Sequence, residues 1–599
     1  MDHNSPRSRN KIITASAIVA GGLLMMAFLN GCFEQPPAPV STTGTDAGEN
    51  SPDKAGDDCN DIINSFYAMI QPDQLGFYSD TKSAVTLVNE WRDACGRQED
   101  AGTATFDVPP ELERLVPDVY LPELATARFL TRDIIHLRDC LMFRKMAFAA
   151  IANSDDELGR IVDLFDYVTR NVAALPAMEE TIPLSTFETV ILGRGTANDR
   201  ALIYAQLLRQ LNIDSVIIRP RDDASEEAGD VEAGNEAAAD EETVSEVDED
   251  GEESSDENAS VKKMPPFLMG VISGENIYLF DPQWGLPIPS QAEATGETWD
   301  IRRPATLAEV LADASILQAV STDPDNPYPI QTADLENLRV ELIGDASFWA
   351  PRMQSLQDAM SGDRTLLIYD PVEDHPDHVG MLTRVASVKG APWKKQDIGL
   401  WTHPEETIRA IESLEENQYY QQNLFIRKFT LNAPLGVLNE TNKEGKADAQ
   451  FGPPTGGVFK TRIQQVIGNY KEAITSYVTI KLDCRTVEKT PFPEEIKKME
   501  LQMKQMHQLA GDDASYWIAL SQIELQDFKA AENSMRSYAG QYRAGRWMMA
   551  NLSTFSKILA RQGKYLGATS ILEKAPDFDP QKPSYGYLIQ RWKRLAEEK

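Results

Sequence analysis

Apolar residues recur at helical spacing along 157–172, where Ile161, Leu164, Phe165 and Val168 fall on one face, with a capping candidate at Ser154 and acids just after it. The same period predicts helices over most of 59–177, cut into shorter pieces by Pro109, Pro110, Pro117 and Pro122. A turn of small residues at 193–197 then opens another helical run, which closes on Leu211-Asn212-Ile213. There the pattern changes. Ser215 to Arg219 is β-rich and is ended by Pro220. Residues 267–273 and 277–280 read as two more strands, with Gly274-Glu275-Asn276 turning between them and Asp281-Pro282 ending the second. This order predicts a mixed α+β domain with antiparallel strands over 151–340. Residues 59–150 read as an N-terminal helical region and 341–439 as a further α/β-like region, with a buried strand at Leu366-Leu367-Ile368-Tyr369. Residues 440–491 read as a linker or extension, and 492–599 as helical throughout.

Composition changes that picture in one place. The 599 residues are 42% hydrophobic and 25% charged, as in ordinary globular chains, but the net charge is −35. The segment 222–260 alone supplies 18 acidic residues and no Lys or Arg, about half of that excess. It holds no aromatic residue and repels itself, so it is expected to be a disordered insertion in a loop. Its Asp248-Glu249-Asp250-Gly251 lacks the full spacing of a calcium loop, which leaves an acidic cation-binding role as an alternative. A surface this acidic excludes nucleic acid as a partner, because phosphate binding needs a basic footprint.

The N-terminus carries basic Arg7, Arg9 and Lys11, then an uncharged, mostly apolar run over 12–28, then Leu29-Asn30-Gly31-Cys32. This resembles a bacterial lipoprotein signal. The resemblance implies cleavage after residue 31, lipid on the Cys32 sulfur and an extracytoplasmic, membrane-anchored chain. Residues 32–58, rich in Pro, Ser, Thr, Gly and Asp, then form a flexible tether. That compartment permits disulfides. Cys59 and Cys95 flank one helical segment and can pair, although sequence alone leaves connectivity open. Cys140, in an apolar helical run, reads as a buried thiol.

The turn Gly195-Thr196-Ala197-Asn198-Asp199-Arg200-Ala201, the ending Leu207-Leu208-Arg209-Gln210-Leu211-Asn212-Ile213, and Asp281-Pro282 after the hairpin occur in a telling order. Over about a fifth of the chain they resemble the transglutaminase-like superfamily, which shares its core with papain-type thiol hydrolases. The resemblance implies a Cys at the first turn of the central helix, a His on the first hairpin strand and an Asp past the second. Here Ala197 stands at the nucleophile position, Arg200 replaces an aromatic, and no His occurs near 267–269. Asn212 replaces a Gly at a left-handed cap. A helix N-terminus stabilises a thiolate and a His–Asp pair moves its proton, so losing sulfur and imidazole removes acyl transfer. Ala197 and Asp281 are then vestigial positions. Thr196 is adjacent but would need a base.

Two other constellations remain. Asp370 to His378 gathers His375, His378 and four acids in nine residues, a donor set suited to zinc or manganese and to a metal-assisted hydrolase. Two prolines in that stretch oppose the helix that would align the histidines, and a solvated loop is the plainer reading. No cofactor is expected. The C-terminal segment resembles tetratricopeptide repeats: Gly563, Tyr565, Ala568, Leu572, Ala575 and Pro580 in one unit, and Phe528, Ala531 and Met535, with Ala519, in another. Phe528 to Tyr565 and Ala531 to Ala568 are each 37 residues apart, and 585–596 reads as a capping helix. The expected fold is thus an α+β, papain/transglutaminase-like core followed by an α-helical repeat module. The expected function is a non-catalytic envelope scaffold that binds a protein or peptide partner.

Overall fold

The computed structural model describes residues 52–598, apart from 77–80, 97–103, 176–181, 222–265, 361–365, 376–377 and short stretches between 415 and 496. The signal, Cys32, most of the tether and the acidic tract lie outside the described residues. Among the described residues no helix is long and apolar enough to cross a membrane.

Helix α1 (Pro52–Met69) begins inside the segment expected to be tether. It packs on α2 (Thr81–Cys95), and the Cys59–Cys95 disulfide joins the pair with their Cα atoms 5.8 Å apart. Helix α2 lies against α3 (Thr131–Ala150). Phe66, Ile70, Val88, Trp91, Ile134 and Leu137 form a core of their own, completed by Met353 and Leu356 from far along the chain. Between α2 and α3 the four prolines divide the backbone as expected, into Pro110–Leu115, a 3-10 turn Asp118–Tyr120 and Leu121–Ala125.

The second and larger core surrounds a six-stranded sheet. Helix α4 (Glu157–Asn171) is capped by Asp156, whose side chain accepts from the Gly159 N–H. The expected cap, Ser154, instead hydrogen-bonds Asp163. Next come α5 (Thr186–Leu192), α6 (Ala197–Arg209) and β1 (Ser215–Pro220). The hairpin is β2 (Leu268–Ser273) and β3 (Asn276–Asp281), followed by β4 (Leu286–Pro287) and β5 (Leu338–Leu342). Helices α7 (Pro351–Ala359) and α8 (Met381–Ala386) precede β6 (Ile398–Leu400) and α9 (His403–Ser413). The strand order is β4-β3-β2-β1-β5-β6, antiparallel except for the parallel β5–β6 pair. The domain boundary expected at residue 340 therefore falls inside β5, and 341–439 is no separate unit. It supplies β6, the last two residues of β5 and part of the N-terminal core.

Residues 440–491, expected as a linker or extension, are largely helical. They complete a hairpin of β7 (Leu435–Thr441) and β8 (Ala447–Pro454) and continue into α10 (Gly457–Val466) and α11 (Tyr470–Lys489). Then follow α12 (Glu500–Glu524), α13 (Phe528–Gln541), α14 (Met548–Arg561), α15 (Tyr565–Leu572) and α16 (Lys582–Glu597). The chain is thus a mixed α/β body with a C-terminal helical region, and one apolar core runs through both.

The α12–α13 and α14–α15 turns are built alike. The Gln526 N–H bonds Ile523 O and the Asp527 N–H bonds Gln522 O; the Gly563 N–H bonds Ala560 O and the Lys564 N–H bonds Leu559 O. Both turns need a left-handed residue, at φ 59° for Gln526 and 73° for Gly563. A side chain there costs about 1 kcal/mol. Gln526→Gly is therefore expected to stabilise the chain by about 0.5–1 kcal/mol. A thermal melt checks this, and a lower midpoint would contradict it.

Candidate functional site

The first turn of α6 is the place to look for chemistry. Helix α5 ends on Gly193, left-handed at φ 69°. A two-residue parallel bridge between Ala173–Ala174 and Arg194–Gly195 then delivers the chain to Thr196. Thr196 caps α6. Its hydroxyl accepts from the Asp199 N–H at 3.2 Å and donates to Asp199 Oδ2 at 2.8 Å, while its own N–H donates to the same oxygen at 2.7 Å. That reciprocal box occupies the hydroxyl and satisfies the helix end. Ala197 follows as the first helical residue, half-buried.

An imidazole does face this turn, from a residue the sequence reading passed over. His403 opens α9 just after β6, and its Nδ1 lies 3.3 Å from Asn198 Nδ2. The ring stacks on Trp401 at 5.0 Å between centroids. Its Nε2 is 3.5 Å from the Thr407 hydroxyl one turn along its own helix. Burial holds the His403 pKa below its ordinary value, against the opposing pull of the Asp199 and Glu406 charges. His403 is thus poised toward the neutral ring near pH 7, next to the Asn198 amide.

Asp281 closes β3 and is buried. Its Oδ1 accepts from the Trp284 N–H at 2.8 Å and its Oδ2 from the Tyr328 hydroxyl at 2.9 Å. Burial pushes its pKa up to about 6, opposed by those two donors and by the Arg200 charge. Arg200 links this acid to the α6 turn. The guanidinium is buried and donates to Val172 O at 2.8 Å and Pro282 O at 3.1 Å, and burial lowers its pKa to about 10. An Arg in place of an aromatic therefore ties α4, α6 and the Asp281 turn together through carbonyls. The C-terminal helices press on the same assembly. The Gln581 side chain donates to Trp284 O, and Arg462 donates to Asn171 O and Val190 O at 2.9 and 3.0 Å.

A thiol and an imidazole do meet, but elsewhere. On α3, His136 Nε2 lies 3.5 Å from Cys140 Sγ and 3.0 Å from Ile368 O, with Nδ1 3.6 Å from Asp345 Oδ2. Burial opposes charge on His136, yet Cys140 and Asp345 outweigh it and raise its pKa; burial likewise opposes charge on Asp345, which His136 nonetheless holds low. The Cys140 sulfur is mid-helix and 0% exposed, inside the N-terminal core. It has neither a free helix end nor access for a substrate.

The Asp370–His378 group is described except for residues 376–377. His375 and His378 pair through their backbones at 2.8 and 2.9 Å, and only His378 reaches Asp370, at 3.0 Å. A guanidinium holds these acids together: Arg384 binds Asp214 through two 2.8 Å hydrogen bonds and also bonds Asp370. Among the described residues no three His, Cys, Asp or Glu side chains are placed to hold a metal ion. Comparison with protein families, characterised proteins and solved structures finds no match.

Proposed function

We propose that the chain is a lipid-anchored envelope scaffold, whose α+β domain is a transglutaminase-like fold that has kept its frame and lost its nucleophile. The observation that carries this reading is Ala197 at the first position of α6, while the imidazole that faces this turn meets the Asn198 amide and the Thr407 hydroxyl. Asp281 supports it too, being engaged by Tyr328 and Trp284 and not by a histidine. The left-handed Asn212, at φ 58°, stands where the resembled family has glycine. Without a thiolate at the helix end, the frame positions and binds but performs no acyl transfer.

The partner in this reading is a peptide or protein segment held by the helical repeats. A cleft of about 900 Å³ opens between the C-terminal helices and the loop at Asp323. Met549, Leu572 and Phe578 supply its apolar floor and Asp323, Glu573 and Asp577 its rim. Phe578 stands 62% exposed, which is unusual for so large an apolar side chain. Asp577 is paired with Lys582, also in the lining, and Glu573 with Lys593, so the chemistry fits an apolar segment.

Two measurements test the proposal. An activity-based thiol probe and an acyl-donor probe should leave the purified chain unlabelled. Labelling that survives replacement of Cys59, Cys95, Cys140 and Cys484, and vanishes in His403→Ala, would overturn it. A photo-crosslinking residue at position 578 should capture a specific protein in cells. Equal capture from exposed Val119 would remove the cleft from the argument.

A further inference from the structure

A cavity of about 300 Å³ lies at the opposite end of α6, apart from the turn that carries the proposed function. Its walls are largely apolar, from Ala205, Ile213, Ile343, Leu367 and Met381. Two arginines reach it, and they differ in how they are satisfied. Arg384 is neutralised by Asp214 and Asp370, with hydrogen bonds to both. Arg209, the last residue of α6, is only 6% exposed and has no ion-pair partner among the described residues. Its Nη2 donates to Ile343 O at 2.7 Å, and its guanidinium carbon sits 3.5 Å over the Phe348 ring. Its Nη1 is buried and has no hydrogen-bond partner among the described residues.

A buried cation without a counter-charge is expensive, and an unmade hydrogen bond on it adds to the cost. Burial accordingly lowers the Arg209 pKa, opposed by the more distant Asp345, Asp370 and Asp214 charges. Binding a small anion in the cavity supplies the missing counter-charge. Asp214 and Asp370, in the same walls, repel a multiply charged ligand, so a monoanion is favoured. The volume is at the lower limit of ligand pockets. The walls match an aliphatic body. We infer that this cavity is a binding site for a small aliphatic monocarboxylate, its carboxylate toward the Arg209 guanidinium and its tail against Ile213, Leu367 and Met381.

The test is calorimetric titration of the purified chain with 4-methylpentanoate, with 4-methylpentan-1-ol as the uncharged isostere and sulfate as the dianion. Saturable one-site binding is expected, weakened at least about tenfold in Arg209→Met and by the change from acid to alcohol. Should Arg209→Met fail to fold, Leu367→Trp, which fills the cavity from its half-buried wall, must abolish binding while circular dichroism stays unchanged. The inference is overturned by alcohol binding as tightly as acid, by sulfate binding more tightly than either, by undiminished binding to either variant, or by no saturable binding to the wild-type chain. None of these outcomes bears on Ala197 or on the helical cleft, so this inference and the proposed function fail separately.

Discussion

Arg352→Met is expected to destabilise the chain by about 3–5 kcal/mol, the usual cost of breaking a buried ion pair from one side. Arg352 and Asp133 are 1% and 0% exposed and bond bidentately, at 2.6 and 2.8 Å. The pair fixes the first turn of α3 to the start of α7, two segments more than 200 residues apart in sequence. Arg352 also donates to Glu123 O at 2.6 Å and Thr126 O at 3.2 Å, so its loss strands two carbonyls as well as a carboxylate. Asp133 would keep only the Leu130 N–H and the Ser347 hydroxyl, each at 2.7 Å. Urea denaturation reads the effect as a lower midpoint with unchanged slope. The double variant Asp133→Asn/Arg352→Met should be less damaged than Arg352→Met alone, because no orphan charge is left behind. A single variant within about 1 kcal/mol of wild type would mean that the N-terminal helices do not depend on this pair.

The local signals were the ones the sequence carried clearly. The hairpin turn at Gly274 and the left-handed Asn212 each involve neighbours within five residues, and each has its expected geometry. Long-range pairings were not readable. Nothing near His403 announces that it will face Asn198, 205 residues earlier, nor does the segment around β6 reveal that it joins β5 in an existing sheet. Misreadings had physical causes as well. Leu366-Leu367-Ile368-Tyr369 has the apolar run of a buried strand, but side chains satisfy its backbone. Gln357 Oε1 accepts from the Ile368 and Tyr369 N–H groups at 2.7 and 3.0 Å, Gln210 donates to Leu367 O, and the His136 ring meets Ile368 O. Residues 457–466 fall in the expected linker or extension, yet Arg462 and Gln465 there are buried and spend their polar atoms on Asn171, on each other and on the Val190 carbonyl. An arginine in a sequence signals surface by default, and Arg200, Arg209, Arg352 and Arg462 are all exceptions that organise this interior.

Asp281→Asn is expected to make the chain more stable at neutral pH and to flatten part of its pH dependence. The folded state holds the Asp281 carboxyl at about 6 because burial disfavours its charge. An unfolded aspartate titrates near 3.9, so the gap is about two units, or roughly 3 kcal/mol at 1.36 kcal/mol per unit. The folded state binds this proton more tightly than the unfolded one. Its contribution therefore falls as pH rises from about 4 to about 6 and stays at the lower level above that. Asparagine carries no charge at any pH. Its carbonyl still accepts the Trp284 N–H, and its amide can face the Tyr328 oxygen. Urea midpoints at pH 4.5 and pH 7.5 should differ less in the variant than in wild type, with the variant the more stable at the higher pH. An unchanged difference, or a less stable variant at pH 7.5, would show that the Trp284, Tyr328 and Arg200 interactions fully compensate the buried charge. The result also bears on function. A carboxylate that serves an imidazole repays its burial in catalysis, whereas Asp281 accepts from a tyrosine hydroxyl, which fits the proposed non-catalytic reading. A stabilised Asp281→Asn chain is what a site released from catalytic duty should give, because neutralising the acid would then remove a cost and no compensating role.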